Sequence, residues 1–119
     1  MLLLSPHMRI LLAIEPTDFR KGIPGLMGIC KKCLQEDPFS GVLFVFCNKK
    51  TTAIKALIYD GQGFWLIMKK FSSGRLKWWP KNVNNPCQVT ANELQIILAR
   101  GIPSKANLGE DWLPITPVK

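Results

Sequence analysis

The sequence predicts a single α+β domain in which an antiparallel β-meander of about four to five strands carries two helices packed on one face. Short runs of β-branched and aromatic residues alternate with turn sequences, which is typical of a meander. Two other segments carry helical spacing or a capping motif. The length of 119 residues and the 47% hydrophobic content fit one core. We expect the domain to span residues 1–103, followed by a proline-rich, flexible tail over residues 104–119.

The first strand and the first helix are predicted from apolar spacing. Residues 8–14 form a short apolar run suited to a buried strand. Apolar residues from Phe19 to Leu34 then recur three and four positions apart, and Thr17 or Asp18 is placed to cap a helix. Because the proline of Ile23-Pro24 is tolerated only in a first helical turn, the helix is predicted to begin near that dipeptide.

The meander itself is predicted in the middle of the chain. Val42 to Cys47 is dense in β-branched and aromatic residues and indicates a strand. Thr52 to Tyr59 and Phe64 to Phe71 are two further strands, joined by Asp60-Gly61-Gln62-Gly63, whose first two residues are typical of a hairpin. Arg75 to Trp79 is interpreted as a last strand of the meander.

A second helix is predicted from Ala91 to Arg100. Thr90 and Glu93 have the spacing of a capping box, and Gly101 ends the helical pattern before a proline. The order of strand, helix, strands and helix indicates that the helices cover one face of the sheet and leave the other partly exposed.

Positive charge is concentrated in one stretch of the chain. Eight of the sixteen basic residues lie between Lys49 and Lys81, and with Asp60 as the only acid there the stretch carries about +7 of the net charge of +8. Basic residues interleaved with tryptophans are typical of a surface that neutralises phosphates and stacks on bases. An acidic protein, a membrane surface or an ordinary solvated face would fit the same composition.

The alternation of side chains between the two faces of a strand predicts which of them form the binding surface. Residues two apart share a face, so Lys55 and Tyr59 are expected to join neighbouring lysines in one basic and aromatic surface. Trp65 lies in an alternating apolar strand and is interpreted as a core residue. Trp78 and Trp79 adjoin each other, so one of them should face outward. The predicted nucleic-acid-binding residues are Arg20, Lys21, Lys49, Lys50, Lys55, Lys69, Lys70, Arg75, Lys77 and Trp78.

Catalytic, metal and membrane functions are not predicted. The carboxylates are scattered, and no Ser/His/Asp set surrounds His7. Cys30-Lys31-Lys32-Cys33 has the spacing of a zinc pair but lacks a second pair, so we interpret the cysteines mainly as buried free thiols and keep a zinc module as the minor alternative. No apolar run reaches the roughly 18 residues of a membrane span. We expect a cytoplasmic, nucleoid-associated protein without a cofactor or a membrane partner.

Four motifs stand in a fixed order along the chain. They are Thr17-Asp18-Phe19-Arg20-Lys21-Gly22, Asp37 to Lys50, Ile54 to Leu66, and Gly74-Arg75-Leu76 before Trp79-Pro80. Over about residues 8–103 the chain closely resembles the small accessory protein TnpB of insertion sequences of the sixty-six family. The chain departs from the family pattern at Lys49-Lys50, where a denser arginine-rich run is usual, and at Arg100, where a glutamate is common.

The resemblance implies a bacterial mobile-element protein that assists DNA transposition and has no catalytic or metal-binding residues. Its implied partners are DNA, the separate transposase and a second small accessory protein of the same element. DNA binding agrees with the charge distribution found above. The alternative is a protein–protein adaptor that docks on the transposase, through its basic surface and an exposed edge strand, without contacting DNA.

Overall fold

The sheet is built around a crossover between two parallel strands. The computed structural model describes residues 4–103. Strand β1 (Ile10–Leu12) lies beside β2 (Leu43–Cys47) in parallel, and helix α1 (Ile23–Lys32) connects them. Parallel neighbours need a crossover connection, which α1 supplies. The expectation of a purely antiparallel sheet is therefore wrong at this pair.

The remaining strands give a mixed five-stranded sheet, within the predicted number. Strands β2, β3 (Ala53–Tyr59) and β4 (Phe64–Lys70) form the predicted antiparallel meander. Strand β5 (Cys87–Val89) pairs antiparallel with the far side of β1, so the order is β4-β3-β2-β1-β5. Residues 75–79, predicted as the last strand, are not a strand, and β5 lies in a segment to which no strand was assigned.

The two helices contact different faces of the sheet, which corrects the prediction that both pack on one. Leu26 of α1 belongs to the buried cluster that contains Phe44 of β2. Leu94 of helix α2 (Ala91–Leu98) belongs to a second cluster that contains Val45. Because successive strand residues point to opposite faces, the two clusters lie on opposite sides of the sheet. Each helix therefore covers its own face.

The segment that replaces the predicted last strand is held by its tryptophans. Trp78 and Trp79 are 1% and 4% exposed, and both pack in the cluster on the α2 face. The Trp79 Nε1–H donates a hydrogen bond of 3.0 Å to the Ala13 carbonyl just beyond β1. The expectation that one of these indoles faces outward is wrong, because irregular backbone need not alternate as a strand does.

The helix ends show which local predictions succeed. The predicted start of α1 near Ile23 is confirmed. Its N-cap is Gly22, and no side chain caps the helix, so the prediction of Thr17 or Asp18 as the cap is wrong. The capping box of α2 is confirmed, with Thr90 Oγ1 accepting the Glu93 N–H and Glu93 Oε1 accepting the Thr90 N–H. Neither helix has the length and apolarity of a membrane span within residues 4–103.

Replacing Thr90 with alanine tests the role of the capping box. Thr90→Ala removes the acceptor for the Glu93 N–H, so we expect the free energy of unfolding to fall by about 1 kcal/mol in urea denaturation. Asn92→Ala, an exposed change in the first turn of the same helix, is the matched control and should not lower it, because alanine favours helix more than asparagine does. Equal effects of the two substitutions would contradict the assignment.

Candidate nucleic-acid interface

Three strand termini meet at one end of the sheet. β2 ends at Cys47, β3 begins at Ala53, and β4 ends at Lys70, which lies opposite Ala53. The exposed pair Lys49 and Lys50 occupies the turn between β2 and β3. Side chains far apart in sequence are thereby brought to one end of the molecule.

The β2–β3 turn has a defined backbone conformation. Asn48 Oδ1 accepts hydrogen bonds from the Thr52 N–H at 2.9 Å and the Ala53 N–H at 3.2 Å, and Asn48 Nδ2 donates to Thr52 Oγ1 at 2.9 Å. Thr51 has a φ of 57°, in the left-handed region. An asparagine that satisfies two backbone donors stabilises such a turn, so the two lysines at its tip extend from an ordered base.

The loop after β4 folds back onto this turn. The Phe71 N–H donates to the Thr52 carbonyl at 3.0 Å, and the Leu76 N–H donates to the Thr51 carbonyl at 2.9 Å. Leu76 is buried, while its neighbours Arg75 and Lys77 are exposed. The loop therefore adds two further cations beside the turn.

Arg100 joins the same end from the residues that follow α2. Its Nη1 donates to the Ser73 carbonyl at 2.7 Å, and its guanidinium carbon lies 5.5 Å from the centre of the Phe71 ring. Lys69 Nζ lies 5.4 Å from the same ring. Gly74 has a φ of 76°, in the left-handed region that favours glycine, and a β-carbon there would lie 2.6 Å from Arg100 Nη1. Two cations thus flank one aromatic ring.

Sequence reasoning missed Arg100 as part of this surface. Its φ is 64°, and it follows α2 at a position where glycine is usual. The Arg100 N–H donates to the Ile97 carbonyl and the Gly101 N–H to the Ile96 carbonyl, which completes a Schellman motif. The sequence signal was the unusual arginine itself, directly before Gly101.

Lys55 has a structural position rather than an exposed one. It is 9% exposed, and its Nζ donates to the Phe19 carbonyl at 2.7 Å and the Lys21 carbonyl at 3.0 Å. The ammonium also lies 5.2 Å from the centre of the Phe19 ring. Lys55 therefore ties β3 to the loop before α1 and does not share a surface with Lys69, whose side chain is on the opposite face of the sheet.

The loop that Lys55 holds contributes Arg20 and Lys21. Both are exposed, and the Thr17 N–H donates to the Cys47 carbonyl at 2.9 Å, which places the loop beside the end of β2. Arg20 forms an ion pair of 2.8 Å with Asp18. Hydrogen bonds from Arg20 lower the pKa of the Asp18 carboxyl to about 2, so this arginine is already partnered.

We call the whole group the basic end. Eight of its residues are exposed and Arg100 is partly buried. Its members are Arg20, Lys21, Lys49, Lys50, Lys69, Lys70, Arg75, Lys77 and Arg100.

Most acids of the described residues lie at the opposite end. Asp60 occupies the β3–β4 hairpin, Glu36 pairs with Arg9 before β1 at 3.7 Å, and Glu93 lies in the first turn of α2 after β5. Asp18, paired with Arg20, and Glu15 are the acids on the side of the basic end. Among residues 4–103, positive charge is therefore concentrated at one end of the strands rather than on one sheet face, and the other end holds acids together with Arg9, Lys31 and Lys32.

Trp65 lies far from the basic end. It was interpreted as core, but it is 60% exposed, because β4 is an edge strand, and its Nε1–H donates to Asp60 Oδ2 at 2.8 Å. The pKa of Asp60 is held below its usual range by the N–H groups of Gln62 and Gly63 and by this indole. With Trp78 buried, no tryptophan of residues 4–103 is exposed at the basic end.

The four cysteines are free thiols in different surroundings. Cys30 and Cys47 are buried, and burial raises the pKa of each to about 12, whereas Cys33 is exposed. Burial also raises the pKa of Cys87 to about 11. Within residues 4–103 no group of three or more His, Cys, Asp or Glu side chains is arranged to hold a metal ion.

Comparison with known families shows to which family the chain belongs. The family model described as IS66 Orf2-like protein matches residues 8–107. The chain belongs to the IS66 Orf2-like family. The resemblance drawn from the four motifs is confirmed, and with it an accessory role in an insertion sequence. The family is not a known catalytic one.

Two relatives of this IS66 Orf2-like protein come from Sinorhizobium fredii. The uncharacterized protein y4jC is 30% identical over 117 residues, which cover 97% of this chain and 92% of the relative. The uncharacterized protein y4hO is 30% identical over 106 residues, which cover 89% and 84%. No solved structure matches the chain.

Replacing Lys55 separates a structural lysine from a surface one. Lys55→Met removes both hydrogen bonds to the loop before α1 and leaves their carbonyl acceptors without that partner. We expect the free energy of unfolding to fall by about 2 kcal/mol, measured by urea denaturation. Lys50→Met, at the exposed turn, is the control and should cause little change. A stable Lys55→Met protein would show that the buried ammonium is not a structural contact.

Titration of Asp18 tests the ion pair in the first loop. In the folded protein we expect an Asp18 pKa of about 2, and Arg20→Ala should raise it towards the usual value near 3.8, as followed by carbon NMR. Because the folded-state pKa is lowered, the stabilisation is present above the unfolded pKa and lost as the pH falls towards 2. An unchanged Asp18 titration in the variant would rule out the pair in solution.

Proposed function

We propose that this IS66 Orf2-like protein assists transposition by binding the sugar-phosphate backbone of DNA through the basic end. The observation that carries the proposal is the convergence of cations from four parts of the chain on one end of the sheet. Those parts are the loop before α1, the β2–β3 turn, the end of β4 with its following loop, and the residue after α2.

The chemistry of the basic end favours phosphate over base recognition. Six of its nine cations are exposed lysines, which lack the planar fork with which arginine reads guanine, and Arg20 and Arg100 already have partners. The rings of Phe71 and Phe19 at this end are partly buried and already lie beside cations, Phe71 beside Lys69 and Arg100 and Phe19 beside Lys55. Binding should therefore depend on charge neutralisation and vary little with sequence.

Lys55 and Trp78, which the sequence placed among the binding residues, are omitted from the proposed contact. Lys55 is engaged with two backbone carbonyls, and Trp78 is 1% exposed. Arg20 is kept, although its ion pair with Asp18 weakens its field towards a phosphate. The strongest candidates are Lys49 and Lys50, because both are exposed on an ordered turn.

Salt-dependent DNA binding tests the proposal. With about six phosphate contacts, affinity for a duplex should fall roughly a thousandfold between 50 and 200 mM salt. The double variant Lys49→Ala, Lys50→Ala should weaken binding and lower the slope of log affinity against log salt by about two. Fluorescence anisotropy with the element's end sequence and a scrambled duplex measures both, and we expect similar affinities for the two duplexes.

The chain offers a control with the same change of net charge. Lys31→Ala, Lys32→Ala removes two adjacent exposed lysines from the end of α1, away from the basic end. It should bind DNA nearly as the wild type does. Equal losses of DNA affinity in both double variants would show that binding depends on net charge and not on the basic end. No binding to either duplex at low salt, together with co-purification with the transposase, would replace the proposal by the adaptor function.

A further inference from the structure

Within residues 4–103, strand β4 presents an edge whose outward backbone groups have no hydrogen-bond partner. It is the outermost strand on its side of the sheet, seven residues long. The Asp60 N–H donates to the Gly63 carbonyl, and the Phe71 N–H donates to the Thr52 carbonyl. Because hydrogen-bonded pairs recur at every second residue of an antiparallel ladder, these two bonds fix which groups face outward. The residues whose backbone N–H and C=O groups point away from β3, called here the outward-facing residues, are Phe64, Leu66, Met68 and Lys70.

The same strand carries a protruding side chain and a groove. Trp65, 60% exposed, and Lys69 lie at its two ends on the α2 face. A groove of about 680 Å³ runs on this face between β4 and α2, with Ile67, Lys69 and Leu98 among its lining residues. An exposed indole at one end of the strand and an apolar groove at the other are complementary only when two copies of β4 run in opposite directions.

We propose that two copies of this chain pair through β4, antiparallel about a two-fold axis at Ile67, to form a continuous sheet. In this register Ile67 faces Ile67 of the second copy, and the outward-facing residues pair with one another, Leu66 with Met68 and Phe64 with Lys70. Trp65 then lies opposite Lys69 of the second copy, where its indole covers the end of the groove and its ring faces the ammonium. The contact is isologous, as a two-fold dimer requires.

Charge selects this arrangement over a parallel one. Lys69 and Lys70 lie at the end of β4, and Asp60 precedes its beginning. Antiparallel pairing brings the cations of each copy to the acidic hairpin of the other, whereas parallel pairing would set lysines against lysines. A second copy therefore supplies charge complementarity that the strand already carries.

Dimerisation is testable without DNA, so its outcome is independent of the proposed function. In sedimentation equilibrium of the full chain we expect twice the chain mass at micromolar concentrations. Met68→Pro removes an outward N–H without breaking the ladder to β3, and should weaken the dimer at least tenfold. Met68→Thr keeps the N–H and is the control. The Lys49→Ala, Lys50→Ala variant should still dimerise.

A disulfide across the axis tests the register directly and covers the case in which Met68→Pro does not fold. In a Cys33→Ser background, Ile67→Cys should oxidise in air to a covalent dimer, because a non-hydrogen-bonded pair places its Cα atoms within disulfide range. Met68→Cys, offset from the axis, should not. A monomeric wild type, a dimer that Met68→Pro leaves unchanged, or a folded Ile67→Cys protein without crosslinks would each overturn the pairing. Capture of a transposase segment by a monomeric chain, abolished by Met68→Pro, would do the same.

Discussion

The turn between β2 and β3 is the contact on which the basic end depends. Its Asn48 side chain fixes the turn, and two backbone carbonyls of the turn receive the N–H groups of Phe71 and Leu76. These bonds hold the lysines of the turn near the cations of the following loop, against their mutual repulsion. Backbone hydrogen bonds are little affected by salt, whereas the repulsion is screened. The surface therefore keeps its shape while its charge remains available to a partner.

Features defined by neighbouring residues could be predicted from the sequence. The Thr90 capping box needs only residues three positions apart, and the Asp60-Gly61 hairpin needs only a four-residue turn in which Gly61 has a φ of 96°. The start of α1 followed from one proline. Such patterns contain their own physical cause, so no tertiary information was needed to find them.

Features defined by distant pairing could not be predicted in the same way. Lys55 looks like any lysine of an alternating strand until the loop before α1 supplies two carbonyls to its ammonium. Trp65 looks buried until its strand proves to be an edge. The burial of Trp78 depends on an irregular segment that packs on the α2 face of the sheet. Most of the cations predicted from the sequence do lie at the surface. To tell the structural cations from the surface ones required the strand order.

The sorting also changes the meaning of the aromatic residues. Indoles within a basic sequence stretch suggested stacking on bases, yet the fold places two of them in the core and the third at the acidic hairpin. Charge and exposed aromatic surface are therefore divided between the two ends of β4. One end is suited to a polyanion and the other carries the exposed indole, while Lys69 and Lys70 belong both to the basic end and to the proposed β4 contact.

Concentration of cations at one end of the strands gives residues 4–103 an uneven distribution of charge. In the field of a polyanion such a particle feels a torque before any atoms touch, and it turns its positive pole towards the charged rod. Productive collisions then form a larger share of all collisions than for an evenly charged protein of the same net charge. The gain lies in the association rate rather than in the lifetime of the complex, and it shrinks as the Debye length shortens.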